Sequence, residues 1–189
     1  MKRRSLLAGS ALAFAPRLAR AQAFPDRPVR IVVPYAPGGV TDTGARALGG
    51  RLEKILGQPI VVENKAGGST IIATEHVARA KPDGHTLLLA TGALAVNAAF
   101  GIAMPYDTAR DFQPITLMMS TSHVLVVPET SPARSVADLV ALARSRPEGL
   151  TYASQGVGAG GHLLGEMLTA RTGARLQHVP YKGSAPALL

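Results

Sequence analysis

Two glycine-rich loops hold the residues that are best suited to binding a ligand. The first runs from Pro34 to Asp42 and follows the apolar run Val29 to Val33. Apolar residues at helical spacing begin directly after it. A helix N-terminus offers unpaired N–H groups and the positive end of the helix dipole, and both suit a carboxylate or a phosphate. The loop is therefore a candidate anion site, although a strand-to-helix turn without a ligand has the same pattern.

The second loop begins at Ser154 and contains Gly156, Gly158 and Gly161, in the G-x-G-x-x-G spacing of dinucleotide-binding proteins. Such a site also needs an acidic residue about 20 positions further on, which holds the ribose. No Asp or Glu follows Glu166 in this sequence. We therefore expect neither NAD nor any other cofactor.

Ser154 and His162 could join an aspartate in a hydrolytic triad. The sequence around the serine lacks the first glycine of the G-x-S-x-G elbow, and a polar loop residue followed by a helix-capping histidine explains both positions. The five histidines show no metal-binding spacing, and the sequence has no cysteine. We expect no catalytic residue and no bound metal. A periplasmic serine hydrolase that uses Ser154 and His162 remains an alternative.

The charge distribution argues against a nucleic-acid partner. The formal net charge is +8, but residues 1–21 hold five of the 20 Lys and Arg residues and none of the 12 Asp and Glu residues. The other basic residues are scattered along the chain. Aromatic residues make up only 4% of the sequence, which leaves little for stacking on bases. A hydrophobic fraction of 47% favours a globular protein.

The first 21 residues have the pattern of an export signal. A basic start at Lys2–Arg4 precedes ten mostly apolar residues, Leu6–Ala15, and small residues stand at Ala19 and Ala21. The apolar run is half of the roughly 20 residues that a membrane-spanning helix needs. The paired arginines favour the twin-arginine route, with the general secretory route as the alternative. We expect cleavage after Ala21 or after Ala23 and a periplasmic protein.

The rest of the chain alternates apolar strands with helices, which predicts an α/β fold with parallel sheets. The predicted strands are Val29–Val33, Ile60–Glu63, Thr86–Ala90, Ile115–Met118, His123–Val127, Thr151–Ser154 and Leu176–Val179. The predicted helices are Asp42–Leu56, capped by Thr41 or Asp42 and closed by Gly57, then Thr70–Ala80, Ser135–Ser145 and Gly161–Thr172.

Residues 97–111 have no strand or helix period and predict a connection between two lobes, residues 22–110 and residues 111–189. In doubly wound sheets, loops at the carboxyl ends of the strands bind ligands. Two such lobes can bring both glycine-rich loops to one cleft. Each helix N-terminus would then neutralise one carboxylate of a small diacid or amino acid. This geometry favours holding a solute over reacting with it.

From Phe24 onwards the chain resembles the Bug-type extracytoplasmic solute receptors of tripartite tricarboxylate transporter systems. The matching stretches occur in order and cover nearly all of the sequence after the export signal. They are Phe24–Gly39, Asp42, Val62–Gly68, Ala80–Leu88, Tyr152–Ser154, His162–Glu166 and Val179–Gly183.

The resemblance implies a two-lobed periplasmic binding protein, type II-like, with its ligand between the lobes. Family members are longer, so it also implies that the chain is C-terminally truncated and that its lobes are incomplete. The implied ligand-binding residues are Tyr35, Pro37, Gly38, Gly39 and Asp42 in the first lobe, Ser154, Gly156, Gly158 and His162 in the second, and, more weakly, Thr91 and Tyr181.

The function that these observations predict is a monomeric receptor for a small carboxylate or amino acid. It would present this solute to transporter subunits in the inner membrane. A ligand sensor that docks on a membrane kinase has the same sequence features and remains a further alternative.

Overall fold

The computed structural model describes residues 24–189, so the predicted export signal and both of its cleavage sites lie outside the described residues. The first half contains β1 (Val29–Val33), α1 (Val40–Leu56), β2 (Ile60–Asn64), a 3-10 turn (Gly68–Thr70), α2 (Ile71–Ala78), β3 (Thr86–Leu88) and α3 (Gly92–Ala99). The second half contains α4 (Val136–Ser145), β4 (Leu150–Ser154), α5 (Gly160–Thr172), β5 (Leu176–Pro180) and α6 (Ser184–Leu188).

The first sheet has the order β2-β1-β3, and all three strands are parallel. Parallel strands need long crossovers, which α1 and α2 supply. The central strand β1 lies between two strands and under helices, so four of its five residues are buried. Ile31 and Val33 pack against Ala45 of α1 and form the core of this lobe. The continuous apolar run that predicted this strand is thus explained by burial on both faces.

The ends of α1 confirm one prediction and correct another. Gly57 ends the helix in the left-handed conformation, with φ 68°, and its N–H donates to the carbonyl of Glu53. The predicted cap by Thr41 or Asp42 is wrong, because Gly39 is the N-cap and no side chain caps the helix. Asp42 lies inside the first turn, where its negative charge still interacts favourably with the helix dipole.

The second sheet is the parallel pair β4–β5, in which Tyr152 lies opposite His178 and Ser154 opposite Pro180. Beyond β5 the chain returns to the first lobe, where the N–H of Ala36 donates to the carbonyl of Lys182 at 2.7 Å. A backbone hydrogen bond therefore joins the two halves directly. The lobe boundary near residue 110 stays a prediction.

The predicted strands Ile115–Met118 and His123–Val127 are wrong, since neither forms a strand in the part of the chain that the structure describes. Most of their residues are exposed, and Leu117 is 83% exposed. Residues 112–128 contain no charged side chain, so the sequence favours strands strongly. A β-strand is stable only beside a partner, however, and residues 24–189 supply none at this place.

The helix α3 was not predicted, and it takes up the first residues of the presumed connection. Half of its eight residues are alanine, and it has no polar face that would reveal a helical period. The cap of α4 is confirmed, because the hydroxyl of Ser135 accepts from the N–H of Asp138 at 3.1 Å.

Among residues 24–189, no helix has both the length and the apolar character that crossing a membrane requires.

Candidate functional site

A cavity of about 190 Å³ lies where loops of the two halves meet. Its wall is made of Pro34 and Tyr35, Gly67–Thr70, Gln155–Val157 and Pro180–Lys182. These four segments follow the carboxyl ends of β1, β2, β4 and β5. Open α/β sheets bind their ligands at this edge, so the cavity is the candidate site.

Three of the predicted site residues line this cavity: Tyr35, Gly156 and Tyr181. Thr91 does not line the cavity, but its hydroxyl lies 3.2 Å from the hydroxyl of Tyr35, which does. Burial raises the pKa of the Tyr35 phenol, and the hydrogen bond to Thr91 offsets only part of this rise. Tyr35 is therefore neutral at physiological pH and able to donate a hydrogen bond to an anion.

The other predicted residues of the first loop lie beside the cavity. Gly38 and Gly39 face the start of α6, and a Cβ atom on Gly39 would lie 2.8 Å from the hydroxyl oxygen of Ser184. Asp42 accepts from the N–H of Gly38 and forms an ion pair with Arg46, whose hydrogen bond is the main cause of the lowered pKa of Asp42. Pro37 is exposed. Ligand contact by these loop residues stays a prediction.

Two stacked histidines, His162 and His178, contact the second glycine-rich loop through hydrogen bonds. The hydroxyl oxygen of Ser154 lies 2.6 Å from Nε2 of His178, and the His178 ring stacks on the ring of His162 at 4.1 Å between centroids. Nδ1 of His162 accepts from the N–H of Gly158. The histidine bonded to Ser154 is thus His178, which the sequence analysis did not single out, and not His162.

Burial lowers the pKa of His178, and the neighbouring His162 lowers it further, whereas Glu166 acts weakly in the opposite direction. Tyr152, packed against the His178 ring, has its pKa raised to about 12 by burial and by its hydrogen bond to Glu166. His178 is accordingly neutral near pH 7, and its protonation would place a positive charge next to His162.

We expect the protein to lose stability as the pH falls below about 6.5, the ordinary pKa of histidine. In this range the unfolded chain takes up a proton that folded His178 resists, so protonation favours unfolding. The variant His178→Gln can keep a hydrogen bond to Ser154 but cannot titrate. Its melting temperature should therefore fall less steeply with decreasing pH than that of the wild type. Parallel melting curves for the two proteins would contradict this assignment.

Sequence reasoning missed the cavity residues Ser69, Thr70, Gln155 and Lys182. The side-chain oxygens of Thr70 and Gln155 are buried and have no hydrogen-bond partner among the described residues. A signal was available, because the turn that holds Ser69 and Thr70 follows a predicted strand just as the two glycine-rich loops do. Within residues 24–189, no three His, Cys, Asp or Glu side chains come together as a metal site would require.

A second, larger depression of about 650 Å³ is lined by Ala98 and by residues 104–111. It is formed almost entirely by one surface segment. None of the predicted site residues lines it, so we do not consider it part of the candidate site.

Comparison with known proteins identifies the family. The family model described as "Tripartite tricarboxylate transporter family receptor" matches residues 45–189, which is most of the chain. The chain belongs to this receptor family. The resemblance to the Bug-type receptors, drawn from the loop sequences, is thereby confirmed.

Curated relatives of this receptor chain include Protein BugT of Bordetella pertussis, which is 38% identical over 171 residues. A "UPF0065 protein" from a Pseudomonas species is 43% identical over 189 residues. The matches cover 89% and 98% of the receptor chain, but 52% and 56% of these relatives. The chain thus spans about half the length of the curated relatives that it matches.

Solved structures confirm the α/β fold of a periplasmic binding protein. The structure titled "R. palustris Rpa4515 with adipate" is 38% identical with a TM-score of 0.82, and the periplasmic binding protein BugD is 35% identical with a TM-score of 0.76. MatC from Rhodopseudomonas palustris, with bound malate, is 33% identical with a TM-score of 0.80. Each match covers 87% of the receptor chain and 55% or 56% of the other chain.

Proposed function

We propose that the protein is a periplasmic receptor that captures a small organic carboxylate or amino acid, as a monomer, and presents it to transporter subunits in the inner membrane. The observation that carries this proposal is the cavity whose wall is formed by loops of both halves. A solute in that cavity would contact both halves at once, and this is what allows a binding protein to couple ligand capture to lobe closure.

The chemistry of the cavity wall suits an anion. No acidic side chain is among the lining residues, whereas the phenol of Tyr35, the hydroxyls of Ser69 and Thr70 and the ammonium of Lys182 are all hydrogen-bond donors. Hydrogen bonds from such groups to an ionised carboxylate are about twice as strong as those between neutral groups. We infer that a carboxylate is the preferred ligand group.

The size of the cavity points to a small solute. Its volume of about 190 Å³ lies below the roughly 300 Å³ at which pockets for drug-sized molecules begin. Adipate and malate, the molecules named with two of the similar structures, are small dicarboxylates. They support a small dicarboxylate as the class of solute that this receptor binds.

The hydrolase alternative gains nothing from the hydrogen bond between Ser154 and His178. Ser154 is only 4% exposed, and its hydroxyl oxygen also contacts the backbone of Gly156. A nucleophile must reach its substrate, and this serine lies beneath the loop that lines the cavity. The proposal therefore assigns it a role in holding that loop.

A thermal-shift panel tests the proposed function. The purified chain is melted with mono-, di- and tricarboxylates and amino acids, and with sodium chloride at matched ionic strength as the control. A ligand at 1,000 times its dissociation constant adds about 4 kcal/mol of stability. We expect at least one carboxylate to raise the melting temperature by several degrees. A protein that melts cooperatively but responds to no member of the panel would refute the proposal.

A further inference from the structure

We propose that His162 and His178 position the cavity loop Gln155–Val157 and make solute binding proton-dependent, so that the receptor holds its solute less tightly as the pH falls. This inference rests on the proposed function, because solute affinity is the property that the two histidines control. Neither histidine lines the cavity, so both are positioning residues and not contacts of the solute.

The two histidines hold the cavity loop at both of its ends. Ser154 comes directly before the three lining residues, and its hydroxyl oxygen lies 2.6 Å from Nε2 of His178. Gly158 comes directly after them, and its N–H donates to Nδ1 of His162 at 3.1 Å. The conformation of the lining residues therefore depends on both contacts.

Stacking joins these two contacts into one unit. The centroids of the His162 and His178 rings lie 4.1 Å apart, with an interplanar angle of 25°. His162 belongs to α5 and His178 belongs to β5, so the unit ties a helix and a strand to the same loop. Neither ring can move without disturbing its neighbour.

Few charged groups of the neighbouring elements face the histidine pair. Tyr152 is the only titratable residue of β4, and its pKa of about 12 keeps it neutral. On α5, Glu166 lies 3.8 Å from Nε2 of His162, whereas Arg171 lies in the last turn, at the opposite end of the helix. The ring of His123 lies against the start of α5. Among these groups, only Glu166 favours a proton on the pair.

Protonation disrupts the contact between His162 and Gly158. Nδ1 of His162 accepts from the Gly158 N–H only when it carries no proton, so protonation replaces this acceptor with a second donor. Gly158 is buried, and a buried N–H without an acceptor is costly. The loop is therefore expected to move when Nδ1 is protonated.

The geometry also opposes a proton on His178. Burial and the neighbouring His162 lower the pKa of His178, and Glu166 offsets only part of this effect. Two charged rings at stacking distance would repel each other, so the pair resists a second proton strongly. The arrangement that holds the loop in place is thus the unprotonated one.

A proton also adds a positive charge, which by itself would favour an anionic solute. This attraction acts at a distance and is screened, because neither histidine lines the cavity. The loop, in contrast, forms part of the cavity wall. We expect the displacement of the loop to outweigh the attraction, so acid weakens binding.

Variants that cannot titrate test this inference. His162→Asn can place an amide oxygen at the position of Nδ1, and His178→Gln can place an amide group near the position of Nε2. Titration calorimetry with malate and adipate gives the affinities between about pH 8 and pH 5.5, on both sides of the ordinary pKa of histidine. Over this range, the affinity of the wild type relative to that of the double variant should fall about threefold to tenfold, as for one lost hydrogen bond. Because both proteins meet the same ligand, the ligand's own ionisation cancels from this ratio.

Proton release provides a second measurement. If the solute binds the unprotonated pair, binding at about pH 6 releases protons, and the measured heat depends on the ionisation enthalpy of the buffer. This dependence should be stronger for the wild type than for the double variant. The controls His76→Gln, at an exposed position of α2, and His123→Gln remove histidines outside the pair and should keep the wild-type behaviour.

Melting curves without ligand separate folding from binding. If the double variant does not fold, the single variant His162→Asn is compared with the wild type under the same expectation. If the wild type and the variant show the same pH dependence, or if His123→Gln abolishes it, the inference is wrong and the proposed function stands. If the wild type binds no carboxylate at any pH, the proposed function fails, and this inference fails with it.

Discussion

Replacing Gly156 by alanine is expected to weaken carboxylate binding about tenfold to hundredfold. Gly156 has a φ of 142°, and a Cβ atom on it would lie 3.2 Å from the carbonyl oxygen of Tyr181. Both residues line the cavity, and the N–H of Tyr181 donates to the carbonyl of Ser154. An unfavourable φ costs about 1–3 kcal/mol, which the variant relieves by moving the loop away from its ligand-binding position. Calorimetry with the best ligand of the panel measures the loss.

Gly173→Ala is the matched control for Gly156→Ala. Gly173 lies in the same half, ends α5 and has a φ of 64°. A Cβ atom on Gly173 would come no closer than 3.8 Å to its nearest neighbour, the side chain of Arg144. Alanine there should lower the melting temperature, because it strains the helix end, and should leave the affinity unchanged. Unaltered binding by Gly156→Ala, together with a lowered melting temperature, would show that the loop does not shape the site.

Replacing Gly149 by alanine is expected to destabilise the fold by about 3 kcal/mol. Gly149 has a φ of 75°, and a Cβ atom on it would collide with the carbonyl oxygen of Arg175. That same carbonyl accepts the hydrogen bond from the N–H of Leu150 that begins the pairing of β4 with β5. Because the clash is with backbone, no change of side-chain rotamer relieves it. Urea denaturation followed by circular dichroism gives the free energy of unfolding.

Gly50→Ala provides the contrast to Gly149→Ala. Gly50 lies inside α1, and no atom is within 4 Å of a Cβ placed there. Alanine should stabilise this helix by about 1 kcal/mol, because glycine is a poor helix former. The two alanine variants are therefore expected to change the free energy of unfolding in opposite directions. If the two variants changed the free energy of unfolding equally, the backbone near Arg175 would be able to move aside and accommodate the new methyl group.

Much of the fold was predictable because its signals are local. The patterns that predicted the strand Val29–Val33, the helix end at Gly57 and the cap at Ser135 each lie within a few adjacent residues. Two predicted strands failed because strand pairing is not local. His123–Val127 has the composition of a strand, but composition cannot supply a neighbouring strand. The alanine-rich helix α3 was missed in the converse way. Its sequence has no clear helical pattern, and contacts with the rest of the fold stabilise it.

The site was predictable in outline and not in detail. Glycine-rich loops after strands indicated the correct edge of the sheets, and Tyr35, Gly156 and Tyr181 do line the cavity. The contact between Ser154 and His178 depends on the register of β4 and β5, which local sequence does not determine. The strained pair Ser69 and Thr70 was equally hidden, because neither residue type favours a positive φ.

The hydrogen bond between Ala36 and Lys182 has a consequence for how quickly a solute can be exchanged. It joins the two halves beside the cavity, and a single backbone hydrogen bond contributes only about 1 kcal/mol net. On this bond alone, the two segments would be apart in about one molecule in six. A solute bound between the halves would add its own contacts to this link, so its residence time would depend mainly on those contacts.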